Sequence, residues 1–549
     1  MSVVENRLSD FGRTRKPVYG NSRIFFRALL LACLIFCRLL SPVMAEEEKV
    51  IFAIDGFAVA GNTLLPEAEI AVVLEPLAGP RKSAEDVETA RTVLEKFYRD
   101  QGYPTVMVNI PEQDVESGTI RLEVVEGRVR NLIITGNRYF TMEKITRDLP
   151  SFAPGEIVYL PRARKELARI NRNPDFKVAP VMSPGKYPGT VDVEMKVKDR
   201  LPLHGNLEVN NRATHDTSDL RLNAGLHYDN LWQKEHSISF QYQTSPLEPA
   251  EVQALSGSYL LRAPWNDNNM LALFGVWSDS DTAFGDGFEV IGKGFLMGAR
   301  YVVPLPEADR FSHHVTLGLD YKDFEEKTGL SGAPEDSGDT VPITYMPLSV
   351  AYGAQLPDAG GLTKFEAGLN LCFRGAVTDQ REFEDKRYKA KGNYLAFRLG
   401  MERTQQLFAG LKGWLRMDGQ LANQPLVNNE QYIAGGMTSV RGYKESEAVG
   451  DDAFHTMLEL RGPDLMRLVK GDKRFKIRPF CFYDYAALRI QDPLPLENQP
   501  EALQGAGCGV RGYITNHFAY EVDWALALAD TDKVAAGDSR AYFQGKFEF

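Results

Sequence analysis

The side chains with the clearest potential for chemistry lie in a long segment that has neither a helix nor a strand pattern, Gly419 to Ala453. It contains the text YIAGGMTSVRGYKE, in which Arg441 is followed by Gly442. A guanidinium group is a planar donor that holds a carboxylate with two parallel hydrogen bonds, and a glycine permits a tight turn. Loops of this length are usually functional or disordered. Arg441 is therefore a candidate for positioning by an ion pair; the alternative is a solvated loop charge.

Patterns for catalysis or metal binding are missing from the sequence. It has no HExxH motif, no G-x-S-x-G nucleophile elbow and no P-loop. His313 and His314 are adjacent in a candidate strand, so they point to opposite faces and do not form a metal pair. We therefore expect no enzymatic activity, no cofactor and no metal ion.

The amino-terminal segment has the pattern of a secretory signal peptide. Its basic residues precede the apolar run Ala28 to Phe36; they are Arg7, Arg13, Arg15, Lys16, Arg23 and Arg27. Val43-Met44-Ala45 then offers a small-residue cleavage site. A membrane anchor is the alternative, but Arg38 interrupts the run well short of the roughly 20 apolar residues of a spanning helix. We expect residues 1–45 to be removed, so that Glu46 begins the mature chain.

The composition limits the class of protein. The chain has 549 residues, with 63 Lys and Arg against 74 Asp and Glu, so it offers no electrostatic attraction for nucleic acid. Its length predicts two or three domains of roughly 100–200 residues. Cys372, Cys481 and Cys508 would remain after cleavage, an odd and widely spaced set that does not indicate a disulfide framework. No later segment has about 18 consecutive apolar residues, so a membrane form would have to be a closed barrel.

Two similar α/β units are predicted, at residues 51–126 and 127–199. The first has a strand at Phe52 to Val59, the turn Gly61-Asn62, helices at Pro66 to Leu74 and from the cap Ser83 to Tyr98, and strands at Thr105 to Ile110 and Thr119 to Val125. The second has a strand at Val129 to Thr135, the turn Gly136-Asn137, helices at Met142 to Leu149 and Arg162 to Asn171, and strands at Phe176 to Met182 and Thr190 to Val197. This repetition is a strong signal of domain organisation.

Residues 200–549 are predicted to form a barrel. After Arg200-Leu201-Pro202 the pattern becomes short alternating segments between turns, about sixteen of the roughly 9–11 residues that a tilted membrane strand needs. The eleventh and twelfth candidates, Leu407 to Asp418 and Phe454 to Arg461, flank the segment that contains Arg441. A soluble sandwich or propeller is the alternative. Aromatic residues near the turns favour the membrane form, and they are Tyr228, Trp232, Trp265 and Trp277.

The first α/β unit and the barrel resemble the TpsB outer-membrane transporters of two-partner secretion, members of the POTRA-barrel superfamily. The matching text is VAGNTLLP from Val59, YRDQGYPTVMVNIPEQDVESGTIRLEVVEGRV from Tyr98, ITGNRYF from Ile134 and VRGY from Val440 to Tyr443. The resemblance implies a mainly β fold, with a 16-stranded antiparallel transmembrane barrel preceded by two periplasmic α/β POTRA domains. It covers about Ile51 to Phe549.

The resemblance implies a role for the VRGY segment, Val440, Arg441, Gly442 and Tyr443. In this superfamily the segment lies on an extracellular loop folded back into the barrel, and its arginine binds an acid on the strands that follow. Asp484, which shares a face with Phe480 and Phe482 in FCFYDYA, is the better candidate, and Glu459 is the other. A second VRGY at Val510 to Tyr513 is predicted to lie on a strand, so its Arg511 is not counted among the candidate site residues.

Further site residues are implied in the first POTRA domain and at the last residue. An extended client can add as a strand to an open sheet edge, and the candidate client-binding residues are Gly61, Asn62, Gly102, Tyr103, Pro111 and Gln113. The terminal strand YFQGKFEF, ending at Phe549, resembles the assembly signal of outer-membrane barrels. Only Glu46 to Val50 precede the first strand after the cleavage site, so the plug helix of many TpsB proteins has no counterpart there, and the folded-in loop takes more of the closing role.

The expected function is export of a secreted TpsA-like partner polypeptide through an outer-membrane barrel whose POTRA domains lie in the periplasm. Other expected partners are outer-membrane lipid and the barrel assembly machinery during biogenesis. Two alternatives remain: an assembly factor that inserts other barrels, which usually carries more POTRA domains, and a porin-like channel, which leaves the POTRA pair and VRGY unexplained.

Overall fold

The computed structural model describes residues 50–215, 217–280, 292–308, 310–328, 339–375, 377–468, 471–472, 474–495, 499–500 and 502–549. The expected signal peptide, residues 1–45, lies outside them. The described chain divides into two compact units. One contains residues up to Leu132 with Ser151–Arg164 and Met182–Val193; the other contains Ile133–Pro150, Lys165–Val181 and Glu194–Phe549.

The first α/β domain is built around a three-stranded sheet of order β2-β5-β4. Its elements are β1 Phe52–Ile54, β2 Gly56–Ala60, α1 Glu67–Leu74, β3 Gly79–Lys82, α2 Ala84–Asp100, β4 Val106–Asn109 and β5 Thr119–Glu126, with a 3₁₀ turn at Glu75–Leu77. Ser83 begins α2 with a capping box to Asp86, as its position predicted. The apolar face of α2 buries Val87, Ala90, Leu94 and Tyr98 in the core.

The second α/β domain repeats the β-α-α-β-β part of this order, without counterparts of β1 and β3. Its elements are β6 Arg128–Thr135, α3 Met142–Asp148, α4 Leu160–Ile170, β7 Phe176–Pro184 and β8 Thr190–Asp199, with a 3₁₀ turn at Pro150–Phe152 and the sheet order β6-β8-β7. Gly61 and Gly136 occupy equivalent turns, with φ of +82° and +86°. A Cβ on either would lie 2.4 Å from a carbonyl oxygen, of Val124 or Val197. Both turns therefore require glycine.

The barrel is closed and antiparallel. Its strands are β9 Leu203–Asn210, β10 Arg221–Leu231, β11 His236–Thr244, β12 Gln253–Ala263, β13 Asn266–Ser280, β14 Gly292–Pro304, β15 Ser312–Thr328, β16 Asp339–Tyr345, β17 Leu348–Asp358, β18 Gly361–Cys372, β19 Tyr394–Gln406, β20 Lys412–Ala422, β23 Asp452–Arg461, β24 Phe475–Arg489, β25 Leu503–Ile514, β26 Phe518–Ala527 and β27 Ser539–Glu548. Between β20 and β23 lie β21 Tyr432–Ala434 and β22 Ala448–Gly450, with a 3₁₀ turn at Asn428–Glu430. Two short helices complete the fold, α5 Gln380–Lys386 and α6 Leu465–Leu468.

Sixteen strand positions form the wall, because β16 and β17 share one. The second half of β15, from Lys322 to Thr328, pairs with β16, and its first half, from Ser312 to Leu319, pairs with β17. The break falls at Met346-Pro347, where proline cannot donate a ladder hydrogen bond. The sixteen-stranded fold is therefore confirmed, and β20 and β23 are the eleventh and twelfth wall strands.

The wall alternates as a closed membrane barrel requires. In β24, Phe480, Phe482 and Asp484 are buried while Cys481 and Tyr483 are exposed, so the buried face is the inside of the barrel and the exposed face is its outer surface. Among the aromatic residues near turns, Trp232, Trp265 and Trp277 are exposed and Tyr228 is half-buried.

The first and last strands close the barrel. β27 pairs with β9 from Gln544 opposite Asn210 to Glu548 opposite Asn206. Phe549 extends this ladder, since its backbone N–H donates to Gly205 O at 3.0 Å and its carbonyl accepts from Gly205 N at 3.1 Å. The last residue of the chain therefore takes part in the seam. None of the helices among the described residues is long and apolar enough to cross a membrane.

Some predicted boundaries were wrong. The first strand is interrupted at Asp55, whose backbone N–H donates to Gly118 O, and β3, which pairs with β1, was not predicted. The eleventh wall strand was predicted at Leu407 to Asp418 but runs from Lys412 to Ala422. Leu407 instead begins a tight turn with a 3₁₀ segment at Phe408–Gly410, where Ala409 has a φ of +53°.

Candidate functional site

The inner loop, residues 423–451 between β20 and β23, carries the candidate site. Its two short strands, β21 and β22, pair antiparallel and lead to a tip where Gly436 N donates to Val440 O at 3.2 Å. Val440, Arg441 and Tyr443 are almost completely buried. Because they contact the buried face of the wall strands, the inner loop is folded into the barrel.

Arg441 forms a two-pronged ion pair with Asp484 of β24. Its Nε and Nη2 donate to the two carboxylate oxygens at 2.7 and 2.8 Å. The backbone N–H of Arg441 donates to the same carboxylate at 3.1 Å. The guanidinium also lies over the ring of Phe482, 3.4 Å from its centroid. These contacts fix the orientation of the arginine as well as its position.

Glu459 of β23 is a second acceptor for Arg441 and is shared with two more arginines. It accepts from Arg441 Nη1 at 2.8 Å, from Arg461 Nε at 2.7 Å and from Arg511 Nη2 at 2.9 Å. We call Arg441, Asp484, Glu459, Arg461 and Arg511 the tip cluster. It joins the inner loop to three consecutive wall strands, β23, β24 and β25.

The electrostatic environment keeps Arg441 charged. Burial alone would lower the pKa of Arg441, but its hydrogen bonds to Asp484 and the charges of Asp484 and Glu459 hold that pKa above its ordinary value. Asp523 of β26 adds a further carboxylate 3.9 Å from Arg441 Nη1. Among the described side chains, Asp523 has no hydrogen-bond partner for either carboxylate oxygen. The arginine is thus surrounded by acids of three strands.

The backbone of the VRGY segment lies directly against the wall. Gly442 has a φ of +111°, and a Cβ there would lie 2.8 Å from Ala527 N. A Cβ on Gly505 of β25 would lie 1.7 Å from Arg441 O. Neither position leaves space for a side chain, so the loop backbone packs on β25 and the end of β26 only because both residues are glycine.

Two tyrosines hold the segment on either side of Gly442. Tyr542 of β27 accepts from Gly442 N at 2.9 Å and donates to Tyr443 O at 2.5 Å. Tyr443 in turn directs its hydroxyl to the carbonyl oxygens of Gln504 and Ala529, at 3.0 and 2.8 Å. The tip is therefore tied to every wall strand from β23 to β27.

The root of the inner loop is held by a second cluster. Glu430 accepts from Lys322 Nζ at 2.5 Å and from the Tyr345 hydroxyl at 2.9 Å. Asp451, at the other end of the loop, accepts from Arg387 Nη2 and from Gln491 N, both at 2.8 Å. We call Glu430, Lys322, Tyr345, Asp451 and Arg387 the root cluster. Leu426 and Val427 pack beside it in an apolar cluster with Phe383 and Tyr394.

A third set of contacts joins the inner loop to the connection between β9 and β10. Arg212 Nε donates to Glu445 Oε1 at 3.0 Å. His215 Nε2 lies 2.5 Å from Glu447 Oε2, and Glu445 N donates to Ala213 O at 3.1 Å. The loop is consequently anchored at its root, its tip and its side.

The structure brings the sequence-predicted loop residues together. Arg441 contacts Asp484 and Glu459 at once, rather than one of the two. Arg511 lies on a strand, as predicted, but was set aside as a functional residue, whereas it shares Glu459 with Arg441. Tyr542, Glu430 and Asp451 were not singled out because no local pattern distinguishes them from other strand and loop residues.

The candidate client-binding residues of the first domain make mainly internal contacts. The Asn62 side chain accepts from the Tyr98 hydroxyl at 2.6 Å and donates to Leu65 O at 2.8 Å. Gly102 ends α2 with a φ of +99°, and Tyr103 packs on Tyr159, with ring centroids 5.1 Å apart. These contacts stabilise the turns and the helix end that lie next to β4.

Pro111 and Gln113 lie at the sheet edge beyond the end of β4. Gln113 pairs with the backbone of Arg121 in β5, accepting from its N–H at 2.6 Å and donating to its carbonyl at 2.9 Å. The Gln113 amide also donates to Pro111 O at 3.3 Å. Gln113 therefore acts as a one-residue substitute for a paired strand along this part of β5.

One group of side chains among the described residues is compact enough to share a metal ion. Ligand atoms of His204, His227 and Asp229 lie within 4.8 Å of one another. Their existing contacts are ordinary polar ones: His204 Nε2 is 2.8 Å from Asp175 Oδ2, and His227 Nε2 is 3.5 Å from Asp229 Oδ2. Sequence spacing did not reveal the group because the two histidines meet only through the pairing of β9 with β10.

Two family models match the chain. Residues 52–127 match the POTRA domain of ShlB type, and residues 352–512 match the haemolysin secretion/activation protein ShlB/FhaC/HecB. The second match includes the inner loop and both of its acceptor strands. The described first α/β domain and the barrel therefore carry the two family signatures in the expected order.

The curated relatives of the chain include outer-membrane and heme/hemopexin transporters. The outer membrane transporter CdiB of Dickeya dadantii is 23% identical over 75% of this chain and 73% of its own length. The heme/hemopexin transporter protein HuxB of Haemophilus influenzae is 19% identical over 72% and 69%. In fold, the chain is similar to CdiB from Escherichia coli, with a TM-score of 0.59, 18% identity and coverage of 98% and 100%. It is also similar to BamA from Haemophilus ducreyi lacking POTRA domains 1–3, with a TM-score of 0.55, 17% identity and coverage of 91% and 100%. The chain thus combines a POTRA domain of ShlB type with a ShlB/FhaC/HecB segment, and it is similar to the outer membrane transporter CdiB and to the heme/hemopexin transporter protein HuxB.

Proposed function

We propose that this protein captures a secreted, TpsA-like partner polypeptide with its first POTRA domain and exports it through the barrel. In this proposal the POTRA domains lie in the periplasm, the barrel wall contacts outer-membrane lipid, and the barrel assembly machinery inserts the protein. The observation that carries the proposal is an inner loop inside the barrel that ion pairs and hydrogen bonds anchor at its tip, its root and its side. Polar contacts of this kind can be exchanged for contacts with water or with a passing chain.

The sheet of the first domain supports the capture step. Its order β2-β5-β4 makes β4 an outer strand, and Met107 and Asn109 of β4 are exposed. An extended client added to β4 would complete its backbone hydrogen bonds without requiring a particular client sequence. Tyr103 and Pro111 flank β4 at its two ends, and these positions would contact the client chain as it enters and leaves the strand.

The direction of transport needs a source other than nucleotide hydrolysis, because the sequence carries no ATP-binding motif. We propose that folding of the client outside the cell supplies it, since a folded client cannot return through the pore. A client variant that cannot fold should remain in the pore. Release of that variant at the normal rate would contradict this step.

The capture step is tested by site-specific photo-cross-linking in cells that secrete the partner. A cross-linking amino acid at Met107 should trap the client, whereas the same amino acid at Glu88, on the exposed face of α2, should not. Equal cross-linking at both positions would overturn strand addition at β4.

The export step is tested by removing residues 51–125. Export should be lost while the barrel still shifts on gels when heated, because client capture and membrane closure would reside in separate parts of the chain. Normal export by this variant would refute the assignment of capture to the first domain.

A further inference from the structure

Two cysteines that are far apart in the sequence lie opposite each other in the barrel wall. Cys481 of β24 is the cross-strand partner of Cys508 of β25. Both side chains are exposed. They share the lipid-facing side, because Phe480 and Phe482 on either side of Cys481 are buried inside the barrel.

The hydrogen-bonding pattern shows which kind of antiparallel pair the two cysteines form. Thr515 N donates to Arg474 O at 2.7 Å, so this pair, one step before Phe475 opposite Ile514, is hydrogen-bonded. Such pairs alternate along a ladder with pairs that are not hydrogen-bonded. Cys481 lies seven positions after Arg474, an odd number, so its pair with Cys508 is of the second kind. Pro479 lies two positions before Cys481 and therefore also belongs to a pair without hydrogen bonds. Because proline has no N–H to donate, its presence there supports this assignment.

This geometry suits a disulfide. In pairs without hydrogen bonds the two Cα atoms lie about 4.5 Å apart and the side chains approach each other. A disulfide needs Cα atoms roughly 4.4–6.8 Å apart, so no backbone movement is required. The remaining cysteine of the described residues, Cys372, is buried, and its cross-strand partner in β19 is Tyr394.

We propose that Cys481 and Cys508 are joined by a disulfide that links β24 to β25. The bond forms while the chain passes through the periplasm, before lipid covers this face. A periplasmic dithiol oxidase supplies the oxidant: the thiolate of one cysteine attacks the disulfide of the oxidase, and the other cysteine then displaces the oxidase from the mixed disulfide. Cys481 and Cys508 lose two protons and two electrons in total, and the oxidase is left with two thiols.

The linked strands carry two members of the tip cluster. Asp484 lies three positions after Cys481 on β24, and Arg511 lies three positions after Cys508 on β25. Both point to the opposite face from the cysteines, where they contact Arg441 and Glu459. The disulfide therefore fixes, from the lipid side, the register of the two strands on which the tip cluster depends.

The proposal is tested on the full-length protein taken from outer membranes. Acid quenching followed by alkylation under denaturing conditions blocks free thiols, and reduction with a second, heavier alkylating reagent marks thiols that were in disulfides. Trypsin should separate Cys481, in the peptide Ile477 to Arg489, from Cys508, in the peptide Ile490 to Arg511. Without reduction, these two peptides should be recovered as one linked species, lower in mass by two hydrogens than their sum.

Internal controls make the outcome unambiguous. Cys372 should take the first reagent in the same sample, which shows that alkylation was complete. In a Cys481→Ser variant, Cys508 should change from the second label to the first. Labelling of Cys481 and Cys508 by the first reagent in the native protein would overturn the proposal. Persistence of the linked peptides in cells that lack dithiol oxidases would overturn the assigned oxidant.

Discussion

The tip and the root of the inner loop are held by ion pairs of opposite polarity. At the tip the loop supplies the cation, Arg441, and the wall supplies the acids Asp484 and Glu459. At the root the loop supplies the acid, Glu430, and the wall supplies Lys322. The planar guanidinium fixes direction through several hydrogen bonds, whereas an ammonium is a compact charge without a preferred plane. Arg441 thus fixes the orientation of the tip, whereas the Lys322 ammonium fixes mainly the position of Glu430. The planar donor at the root is Arg387, which binds Asp451.

Both ends of the inner loop also have apolar neighbours. The root lies beside an apolar cluster that includes Leu426 and Phe383, and at the tip Val440 is buried with Leu488 and Leu503. The tip differs in that two glycines allow its backbone to lie directly against the wall. Loss of one ion pair should therefore be partly offset by apolar packing at either end.

The largest expected effect comes from Arg441→Ala. The substitution leaves Asp484 and Glu459 buried without their main partner, which costs roughly 3–5 kcal/mol for a well-buried pair. The tip should detach while the barrel stays folded, because the strand ladders are untouched, and export should fall. Hydrogen exchange in residues 435–445 and trypsin cleavage after Lys444 measure the detachment.

Two matched variants sharpen this prediction. Arg474→Ala removes an arginine from an exposed pair with Asp472 and should leave hydrogen exchange of the inner loop unchanged. Arg441→Lys should give hydrogen exchange between that of the wild type and that of Arg441→Ala. Lysine keeps the positive charge but lacks the planar group that donates two parallel hydrogen bonds. Native-like exchange at residues 435–445 in Arg441→Ala would contradict the role assigned to the ion pair.

A double-mutant cycle of Arg441 and Asp484 should show a coupling energy of about 0.5–3 kcal/mol. Once Arg441 is replaced by alanine, Asp484→Ala removes a stranded charge, so the double variant should be less damaged than the sum of the two single variants. The free energy of loop docking is measured for the wild type, the two single variants and the double variant, from the protection of residues 435–445 against hydrogen exchange. Strict additivity would show that the two residues do not interact.

Glu430→Gln should have a smaller effect, at the opposite end of the loop. It removes the partner of the Lys322 ammonium, and hydrogen bonds to charged groups contribute about 1.5–3 kcal/mol. Faster hydrogen exchange is expected in residues 423–434, with the tip protected. Glu402→Gln, in the more exposed wall pair with Lys364, is the control. A loss of protection at the tip equal to that at the root would show that the two ends do not act separately.

The smallest effect is expected from Arg212→Ala. Arg212 is 21% exposed in its pair with Glu445, and pairs that solvent reaches contribute about 0–1 kcal/mol. Protection of residues 435–445 should change only slightly. An effect as large as that of Arg441→Ala would move the main anchor of the inner loop from the tip cluster to the connection between β9 and β10.

The fold could be predicted from the sequence to a large extent because its signals are local. Alternation with period two marks each wall strand, and the repeated Gly-Asn turns mark the two α/β domains, since a backbone in the left-handed region requires glycine at Gly61 and Gly136. The boundaries were less accurate where a turn contained apolar residues. At Leu407 to Leu411 the alternation continued through a turn, so the eleventh strand was predicted about five residues too early.

The candidate site was predictable only where a family motif marked it. VRGY identified Arg441, and the face shared by Phe480, Phe482 and Asp484 followed from the strand period. Glu430 and Lys322 are separated by more than 100 positions and carry no motif, so only the closed barrel shows that they meet. The sharing of Glu459 among Arg441, Arg461 and Arg511 likewise depends on the register of β23, β24 and β25.

The sequence by itself therefore determined the kinds of element, their order and one arginine of the site, because these follow from neighbouring residues and their spacing. The tertiary structure decided which charges pair and which cysteines face each other. Cross-strand register sets those distances, and a shift of one residue would reverse the face of every side chain on a strand. The pairing of Cys481 with Cys508 depends in the same way on the ladder between β24 and β25, which joins two residues that the sequence presents as distant.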